Sequence, residues 1–250
     1  MLFGLHDFNS EFYALEHAAG LFNSSFGIGI DVSQVGPSIF PTTSLAGRIK
    51  ILPSENSYFV LAAYDGIPGS PNDQVGTQIS FDSNDGMFYS SEIGLVGDED
   101  NYFKLGLGAW YHTTDFIDYS EIERSSNYGG YLIAEENLSE NFGTFLQFGL
   151  AKEDRNQVGN YIGSGLTYTG PLTSRPDDML SLGVAIARIS DDYKKINNTD
   201  SHETTLELNY RLQTNSFLAI TPDIQYIINP GTDSSIDDSL VLGFRTELTL

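Results

Sequence analysis

The sequence predicts an all-β protein, an antiparallel up-and-down β-barrel that spans a membrane. Three observations predict it. Apolar and polar residues alternate with a period of two in segments of about ten residues. Clusters of Asn, Asp, Gly and Ser separate these segments, and the connections are short in some places and long in others. The polar face of many segments carries charged side chains, which is typical of a barrel with a wet interior and an apolar exterior.

About twelve strands can be drawn from this alternation. In residues 101–112, Phe103 and Leu105 lie on one face, whereas Lys104 and Trp110 lie on the other. The predicted strands are 2–8, 44–52, 58–65, 87–96, 101–112, 128–137, 141–151, 160–169, 179–189, 204–212, 218–228 and 240–250. Hairpin-like connections at 97–100, 139–140 and 214–216 contrast with the long polar connections 113–127 and 190–201, as in an up-and-down barrel.

The charges of the polar face help to distinguish two kinds of β architecture. A dry core would bury residues such as Glu207 and Arg211, which is costly unless they are paired. A water-filled lumen avoids that cost if the apolar face meets lipid. Aromatic residues near the strand ends are then expected to form interfacial girdles; they are Tyr58, Phe59, Tyr111, Tyr168 and Tyr226. A β-sandwich with one wet face per sheet gives the same alternation and stays open at this point.

Residues 10–41 differ from the alternating strands. Ser10 is a suitable N-cap and Gly20 a suitable stop, and Phe12, Leu15 and Ala19 fall on one side, so a short helix is predicted over 10–20. Residues 21–41 are rich in Gly and Ser and are expected to form a long ordered loop. We therefore expect one barrel domain over residues 1–250, with a short helix and long inserted loop at 10–41.

Composition and motifs exclude several classes of function. The chain has 12 Lys and Arg against 34 Asp and Glu, a net charge of −22, which argues against nucleic-acid binding. It has no Cys, and its four His are scattered. Its Gly-x-Gly pairs lack a nucleotide-loop pattern, most Asp and Glu fall in predicted loops, and residues 82–86 predict a turn rather than a calcium loop. No catalytic residue, metal ligand or cofactor is therefore predicted.

Residues 4–12 read GLHDFNSEF. This segment is similar to the GLYDTNSEF segment of the carbohydrate-selective porins, the OprB family of Gram-negative bacteria. Further matching segments follow in the same order, namely residues 20–27, 36–38, 40–41, 64–66, 68–69, 222–231 and 241–245. The resemblance covers essentially the whole chain. It implies an outer-membrane barrel of about sixteen strands that lets sugars diffuse passively into the periplasm, without catalysis.

The chain departs from the family pattern at both ends. It begins without a signal peptide and without the N-terminal part of the family, which should hold roughly four strands. It ends in Leu250, where outer-membrane proteins usually end in an aromatic residue. We therefore expect the chain to correspond to the C-terminal two-thirds of a porin.

A sugar-selective pore needs aromatic faces against the ring and charged or amide groups for the hydroxyls. Alternation points seven candidates toward the lumen: Arg48, Lys104, Trp110, Glu207, Arg211, Asp223 and Arg245. The two strongest candidates are Arg48 and Trp110. Residues 21–41 run directly into the strand of Arg48, and Trp110 is the only Trp of the sequence. The alternative is that these are general lumen charges that pair across strands.

The partners expected are sugars as solutes and outer-membrane lipid, with no nucleic acid; a homo-oligomer is compatible with the sequence. A second reading belongs to a different class of protein. The chain would then be a soluble or periplasmic β-sandwich that binds carbohydrate, or a glycoside hydrolase built on two carboxylates.

Overall fold

The computed structural model describes residues 1–69, 85–98 and 101–249. Twelve strands form one antiparallel sheet in which each strand is bonded to its neighbours along the chain. They are β1 (Leu2–His6), β2 (Ser44–Ser54), β3 (Ser57–Asp65), β4 (Met87–Val96), β5 (Phe103–His112), β8 (Asn127–Ser139), β9 (Phe142–Ala151), β10 (Val158–Thr169), β11 (Met179–Ile189), β12 (His202–Asn215), β13 (Leu218–Ile228) and β14 (Ser239–Leu248). Between β5 and β8, β6 (Phe116–Ile117) and β7 (Glu123–Arg124) form a small separate hairpin.

The predicted fold class is confirmed, since every predicted strand is present at its expected place and the order is up-and-down. The two-sheet sandwich is wrong for the described residues, because their long strands belong to a single sheet. Part of the predicted hairpin 97–100, part of the rejected loop 82–86, and Leu250 lie outside the described residues.

Connections of different length lie at the two ends of the sheet. The turns after β2, β8 and β12 have two residues each, whereas those after β1, β5 and β11 are long. Because consecutive strands run in opposite directions, these three short turns lie at one rim and these three long connections lie at the other. One long connection contains α3 (Asp191–Ile196), and another contains the 3₁₀ turn Pro230–Thr232. Within the described residues, no helix is both long and apolar enough to cross a membrane.

The alternation of the sequence becomes two faces of the sheet. On β5, Leu105 and Leu107 are 44% and 60% exposed, whereas Gly106, Gly108 and Trp110 are buried. Exposed Leu, Ile, Phe and Tyr side chains continue along the same outer face of the neighbouring strands. The apolar face is therefore outside and the polar face inside, as the sequence predicts.

The inner face of the sheet is covered by protein, whereas the sequence analysis expected a water-filled lumen there. The connection between β1 and β2, residues 7–43, folds back against this face; we call it the inserted segment. Many of its apolar side chains are buried and pack on aromatic residues of the wall, whereas Phe40 is exposed. Phe8 stacks on Phe12 at 5.0 Å between ring centroids, Phe8 meets Phe88 edge-on at 5.6 Å, and Phe26 meets Phe145 edge-on at 6.1 Å. The core of the described structure thus lies inside the curve of the sheet.

The inserted segment does not contain the predicted helix. Residues 11–20 form turns, and Tyr13 adopts a left-handed φ of 63°. The helices present are the 3₁₀ turn Phe8–Ser10, α1 (Ser24–Gly27) and α2 (Ile30–Ser33), the last two within the predicted loop. The physical reason is competition for hydrogen bonds, because wall carboxylates take the N–H groups of Tyr13 and His17 that a helix would use internally.

Candidate functional site

Three glutamates of the inner wall hold the backbone of the inserted segment. Glu92 on β4 accepts from the N–H of Tyr13 at 3.0 Å, and Glu135 on β8 accepts from the N–H of His17 at 2.9 Å. Glu207 on β12 accepts from the N–H groups of Phe22 and Asn23, the latter at 2.9 Å. Charge-assisted hydrogen bonds of this kind are roughly twice as strong as neutral ones. The segment is therefore fixed to three separate strands of the wall.

Wall donors hold the carbonyl groups of the same segment. Lys104 Nζ donates to the carbonyl of Ala14 at 2.6 Å, and Asn209 Nδ2 donates to that of Gly20 at 2.9 Å. Tyr161 OH and Gln147 Nε2 donate to the carbonyls of Ser25 and Phe26 at 2.6 and 2.8 Å. These bonds satisfy backbone groups of the segment that burial would otherwise leave unpaired.

Glu92 is one of the two most enclosed of these carboxylates, with 1% of its surface exposed, as in Glu207. Besides the N–H of Tyr13, it accepts from Tyr58 OH and Tyr131 OH, each at 2.7 Å. A buried charge persists only when its oxygens are saturated with donors. Glu92 meets this condition through one backbone and two phenol groups, so it joins β3, β4 and β8 to the inserted segment.

Glycines of the wall make room for these contacts. A Cβ on Gly149 would lie 2.0 Å from Cγ of Asp31, and one on Gly143 would lie 2.2 Å from the His17 ring. A Cβ on Gly183 would lie 2.6 Å from the Phe26 ring. These distances are below any ordinary contact, so the absent side chains let the inserted segment approach the backbone of the wall.

Asp31 in α2 is a buried acid without a basic partner in the described residues. Its Oδ1 accepts from Tyr13 OH at 3.1 Å, and its carboxyl group lies against Gly149. Burial removes water from the charged form and raises the pKa of Asp31 to about 7. The carboxyl group is therefore half-protonated near neutral pH.

We expect Asp31→Asn to stabilise the protein above pH 7, by up to about 4 kcal/mol. The folded pKa lies above the unfolded one, so the folded state binds more protons between the two values and the wild type loses stability as pH rises from about 4 to about 7. Urea titrations in detergent at pH 4 and pH 8 measure this difference. The advantage of the variant should vanish near pH 4.

Asp178 provides a control of opposite sign. Its hydrogen bonds from Arg175, then Tyr210 and the N–H of Gln213, lower its pKa to about 2. It contributes stability above pH 4 that is lost as pH falls toward 2, so Asp178→Asn should destabilise the protein at pH 7. An equal response of both variants at every pH would contradict the assignment of Asp31.

A cavity of about 450 Å³ lies between the inserted segment and β2–β5. Tyr58 and Tyr102 provide its aromatic rings. Lys50 Nζ and Lys104 Nζ lie 5.8 and 5.9 Å from the centroid of the Tyr58 ring. The rest of its lining is Glu11, Ala14, Leu15, Glu16, Ala19, Leu52, Glu55, Ser57, Val60, Val96 and Glu135. Aromatic rings, positively charged side chains and negatively charged side chains therefore line the same cavity.

An ion-pair cluster borders this cavity. Arg48 Nη2 donates to Glu11 Oε1 at 2.8 Å, and Arg48 Nε contacts the other oxygen of the same carboxylate. Lys50 Nζ and His6 Nε2 lie 3.6 and 3.7 Å from Glu11. His6 Nδ1 is 2.9 Å from Tyr64 OH. Glu11 is thus the centre of several positive or polar groups from β1 to β3.

The structure brings two of the seven predicted site residues to this region, since Arg48 binds Glu11 and Lys104 lines the cavity. Trp110 lies outside this region. It is only 2% exposed, stacks with Phe88 at 6.2 Å, and fills the space above Gly129. The Trp side chain points inward as predicted, but the aromatic core covers it, so this geometry does not support sugar contact at Trp110.

The other four predicted residues form a second group on β12–β14. Arg211 pairs with Glu247 at 2.8 Å, and Arg245 stacks over the Phe22 ring at 4.0 Å. Glu207 and Asp223 are 1% and 6% exposed. Pairing across strands, the alternative in the sequence analysis, describes Arg211 well.

Several residues of the site are absent from the sequence-based set: Glu11, Tyr58, Glu92, Tyr102, Glu135 and Asp31. Their inward parity was readable on β4 and β8, because Glu92 and Glu135 alternate with outward apolar residues. Tyr58, predicted as a girdle residue, faces inward and is 8% exposed. In the described residues, no group of three or more His, Asp or Glu side chains is placed to hold a metal ion.

Comparison with known proteins identifies the family. Residues 2–250 match the family described as carbohydrate-selective porin, OprB family. Porin B of Pseudomonas aeruginosa is 25% identical over 250 residues, covering 83% of this chain and 55% of Porin B. The chain thus spans about half the length of that relative.

Solved structures share the fold. OprB of Pseudomonas putida, in its high-pH structure, superposes with a TM-score of 0.84 at 21% identity, covering 98% of this chain and 68% of that chain. The outer membrane channel DcaP of Acinetobacter baumannii superposes with a TM-score of 0.66 at 11% identity, covering 98% and 70%. The chain therefore belongs to the carbohydrate-selective porin, OprB family, whose members are channels of the Gram-negative outer membrane rather than enzymes.

Proposed function

We propose that this chain forms the wall and the constriction of a channel through which sugars diffuse passively into the periplasm. The observation that carries the proposal is the cavity of about 450 Å³ between the inserted segment and β2–β5. Its volume falls within the range of about 300–1,000 Å³ of small-molecule sites. The outward Leu, Ile and Phe side chains are then the surface that meets lipid.

The chemistry of the cavity suits a neutral, hydroxyl-rich solute. The rings of Tyr58 and Tyr102 offer faces to the C–H side of a sugar. Lys50 and Lys104 donate to hydroxyl groups, and Glu11 and Glu16 accept from them. Contacts of this kind are individually weak, which permits both entry and release. Charges of both signs in one space disfavour passage of a strongly charged solute.

We expect Tyr102→Ala to weaken the block of ion current by glucose by about two- to tenfold, since loss of a ring contact costs about 0.5–1.5 kcal/mol. The measurement is current through purified protein in planar bilayers as glucose is added. Tyr111→Ala is the control, because Tyr111 lies on the outer face at the other end of β5, away from the cavity, and is 44% exposed. Equal block by glucose in both variants would contradict the proposal that sugars pass through this cavity.

Solute selectivity tests the function itself. Liposomes that contain the protein should swell faster with glucose than with gluconate, a charged solute of similar size. Equal rates would contradict sugar selectivity and leave the barrel intact. Protein-free liposomes give the background rate for each solute.

A further inference from the structure

A second cavity, of about 360 Å³, lies between the inserted segment and β10–β12. Its floor is formed by inner-face residues that are in register across these strands. Ala187 lies between Tyr161 and Glu203, and the next inner row places Ala185 beside Thr205. Because the two alanines extend little above the sheet, space remains between the wall and the segment. The volume lies at the lower end of the range of about 300–1,000 Å³ of small-molecule sites.

This cavity lies near the rim of the long connections. Ala187 is two residues from the end of β11, where the long connection 190–201 begins. The cavity lined by Tyr58 and Tyr102 lies near the opposite rim, since Ser57 in its lining directly follows the short turn after β2. In outer-membrane barrels the long loops face the outside of the cell and the short turns face the periplasm. We therefore call the second space the outer cavity and the first the inner cavity.

Hydroxyl groups without a protein partner line the outer cavity. Within the described residues, the side-chain oxygens of Ser24, Ser33 and Thr205 make no hydrogen bond. Thr205 is only 5% exposed, so its hydroxyl group can be satisfied only by a molecule that enters the cavity. Ser24 and Ser33 belong to α1 and α2 of the inserted segment, whereas Thr205 belongs to the wall. Donors and acceptors are thus available on both sides of the space.

The rest of the lining is mainly apolar and carries little charge. Ile28, Ile30 and Ile39 of the inserted segment offer a surface for C–H groups. Glu203 is the only charged side chain in the described lining, and it accepts from the N–H of Gly231. An anion in this space would meet a carboxylate and no basic side chain of the described lining, which is unfavourable. The chemistry therefore suits a neutral molecule that combines hydroxyl groups with C–H surface.

We propose that the outer cavity is a second binding site for a neutral monosaccharide. The hydroxyl groups of Thr205, Ser24 and Ser33 bond to the sugar hydroxyls, and the isoleucine side chains cover the C–H side of the ring. This inference rests on the proposed function, because it adds a site to the same sugar path. Two weak sites in sequence retain a solute at the passage and still release it. Sugar acids are disfavoured at the outer site.

The test uses single cysteines as reporters, because the chain has no cysteine of its own. Ala187→Cys places a thiol on the floor of the outer cavity and leaves the proposed hydroxyl ligands in place. We expect glucose to slow the reaction of this thiol with methyl methanethiosulfonate several-fold in the full chain, folded in detergent. Gluconate should leave the rate unchanged. Ser216→Cys, in the exposed turn after β12, is the control and should show no protection by either solute.

A second substitution in the Ala187→Cys protein tests the hydroxyl ligands. Thr205→Val keeps the shape of the side chain and removes its hydroxyl group, so the glucose concentration for half-protection should rise about two- to tenfold, as for the loss of one hydrogen bond. Thr204→Val is the matched control, because the neighbouring Thr204 lies on the opposite face of β12. If Thr205→Val fails to fold, Ser33→Ala replaces it in the same measurement.

The outcomes separate this site from the proposed function. Ser57→Cys reports in the same way on the inner cavity. Protection of Ala187→Cys without protection of Ser57→Cys would support the outer site and contradict sugar binding in the inner cavity. Protection of Ser57→Cys alone would overturn the outer site and leave the proposed function intact. Equal half-protection with Thr205→Val and Thr204→Val would also overturn the outer site.

Discussion

Glu92→Ala should loosen the inserted segment and increase the single-channel conductance of the protein. The substitution leaves the N–H of Tyr13 and the hydroxyl groups of Tyr58 and Tyr131 without their acceptor. A buried donor left unpaired costs about 1–3 kcal/mol. With three such donors, we expect this substitution to be among the most destabilising single changes in the chain. The lost free energy weakens the contact between the inserted segment and the wall.

Planar-bilayer conductance and the temperature of unfolding in detergent measure the two effects. Glu92→Gln retains one acceptor oxygen and should give an intermediate result. Glu136→Ala removes a carboxylate from the exposed part of β8 and should leave both quantities near wild type. Conductance and stability of Glu92→Ala equal to those of Glu136→Ala would contradict the role of Glu92 as an anchor.

Gly149→Val should displace α2 from the wall. The new Cβ would overlap the carboxyl group of Asp31, whose Cγ it would approach to 2.0 Å. The backbone of β9 cannot yield, because it is bonded to β8 and β10 on both sides. We expect new protease cleavage near residues 28–36, a rise in conductance, and a loss of about 1–3 kcal/mol, the usual cost of overpacking.

A second substitution tests the mechanism of this effect. Asp31→Ala removes the group that collides with the new side chain, so the double variant with Gly149→Val should recover much of the protection from protease. Gly47→Ala is the control, since a Cβ at Gly47 meets nothing within 4 Å. Failure of Asp31→Ala to restore protection would place the strain elsewhere in the wall.

The strands were predictable because a half-buried strand shows its two faces as alternating residues. Leu105 and Leu107 against Lys104 and Trp110 are enough to locate β5 and orient it. Alternation is a local property of the sequence and does not depend on long-range contacts. It therefore predicted the strands along the whole sheet.

The inserted segment was not predictable in the same way. Phe12, Leu15 and Ala19 have the spacing of a helix face, yet the N–H groups of Tyr13 and His17 bond to glutamates 79 and 118 residues away. Such acceptors are invisible to local pattern. For the same reason parity pointed Trp110 inward but could not tell a water-filled lumen from one packed with aromatic rings. Glu11, the partner of Arg48, was missed for the same reason, because its contact with Arg48 joins residues far apart in the sequence.

The way the wall holds the inserted segment bears on how such a channel can change its solute. The wall binds peptide groups, namely the carbonyls of Ala14 and Gly20, which belong to residues without a polar side chain. Ala14, Glu16 and Ala19 face the cavity, while their main chain is held by bonds common to every amino acid. New side chains at these positions can therefore alter the chemistry of the passage without altering its framework, which makes the segment a natural place for evolution, or an engineer, to retune selectivity.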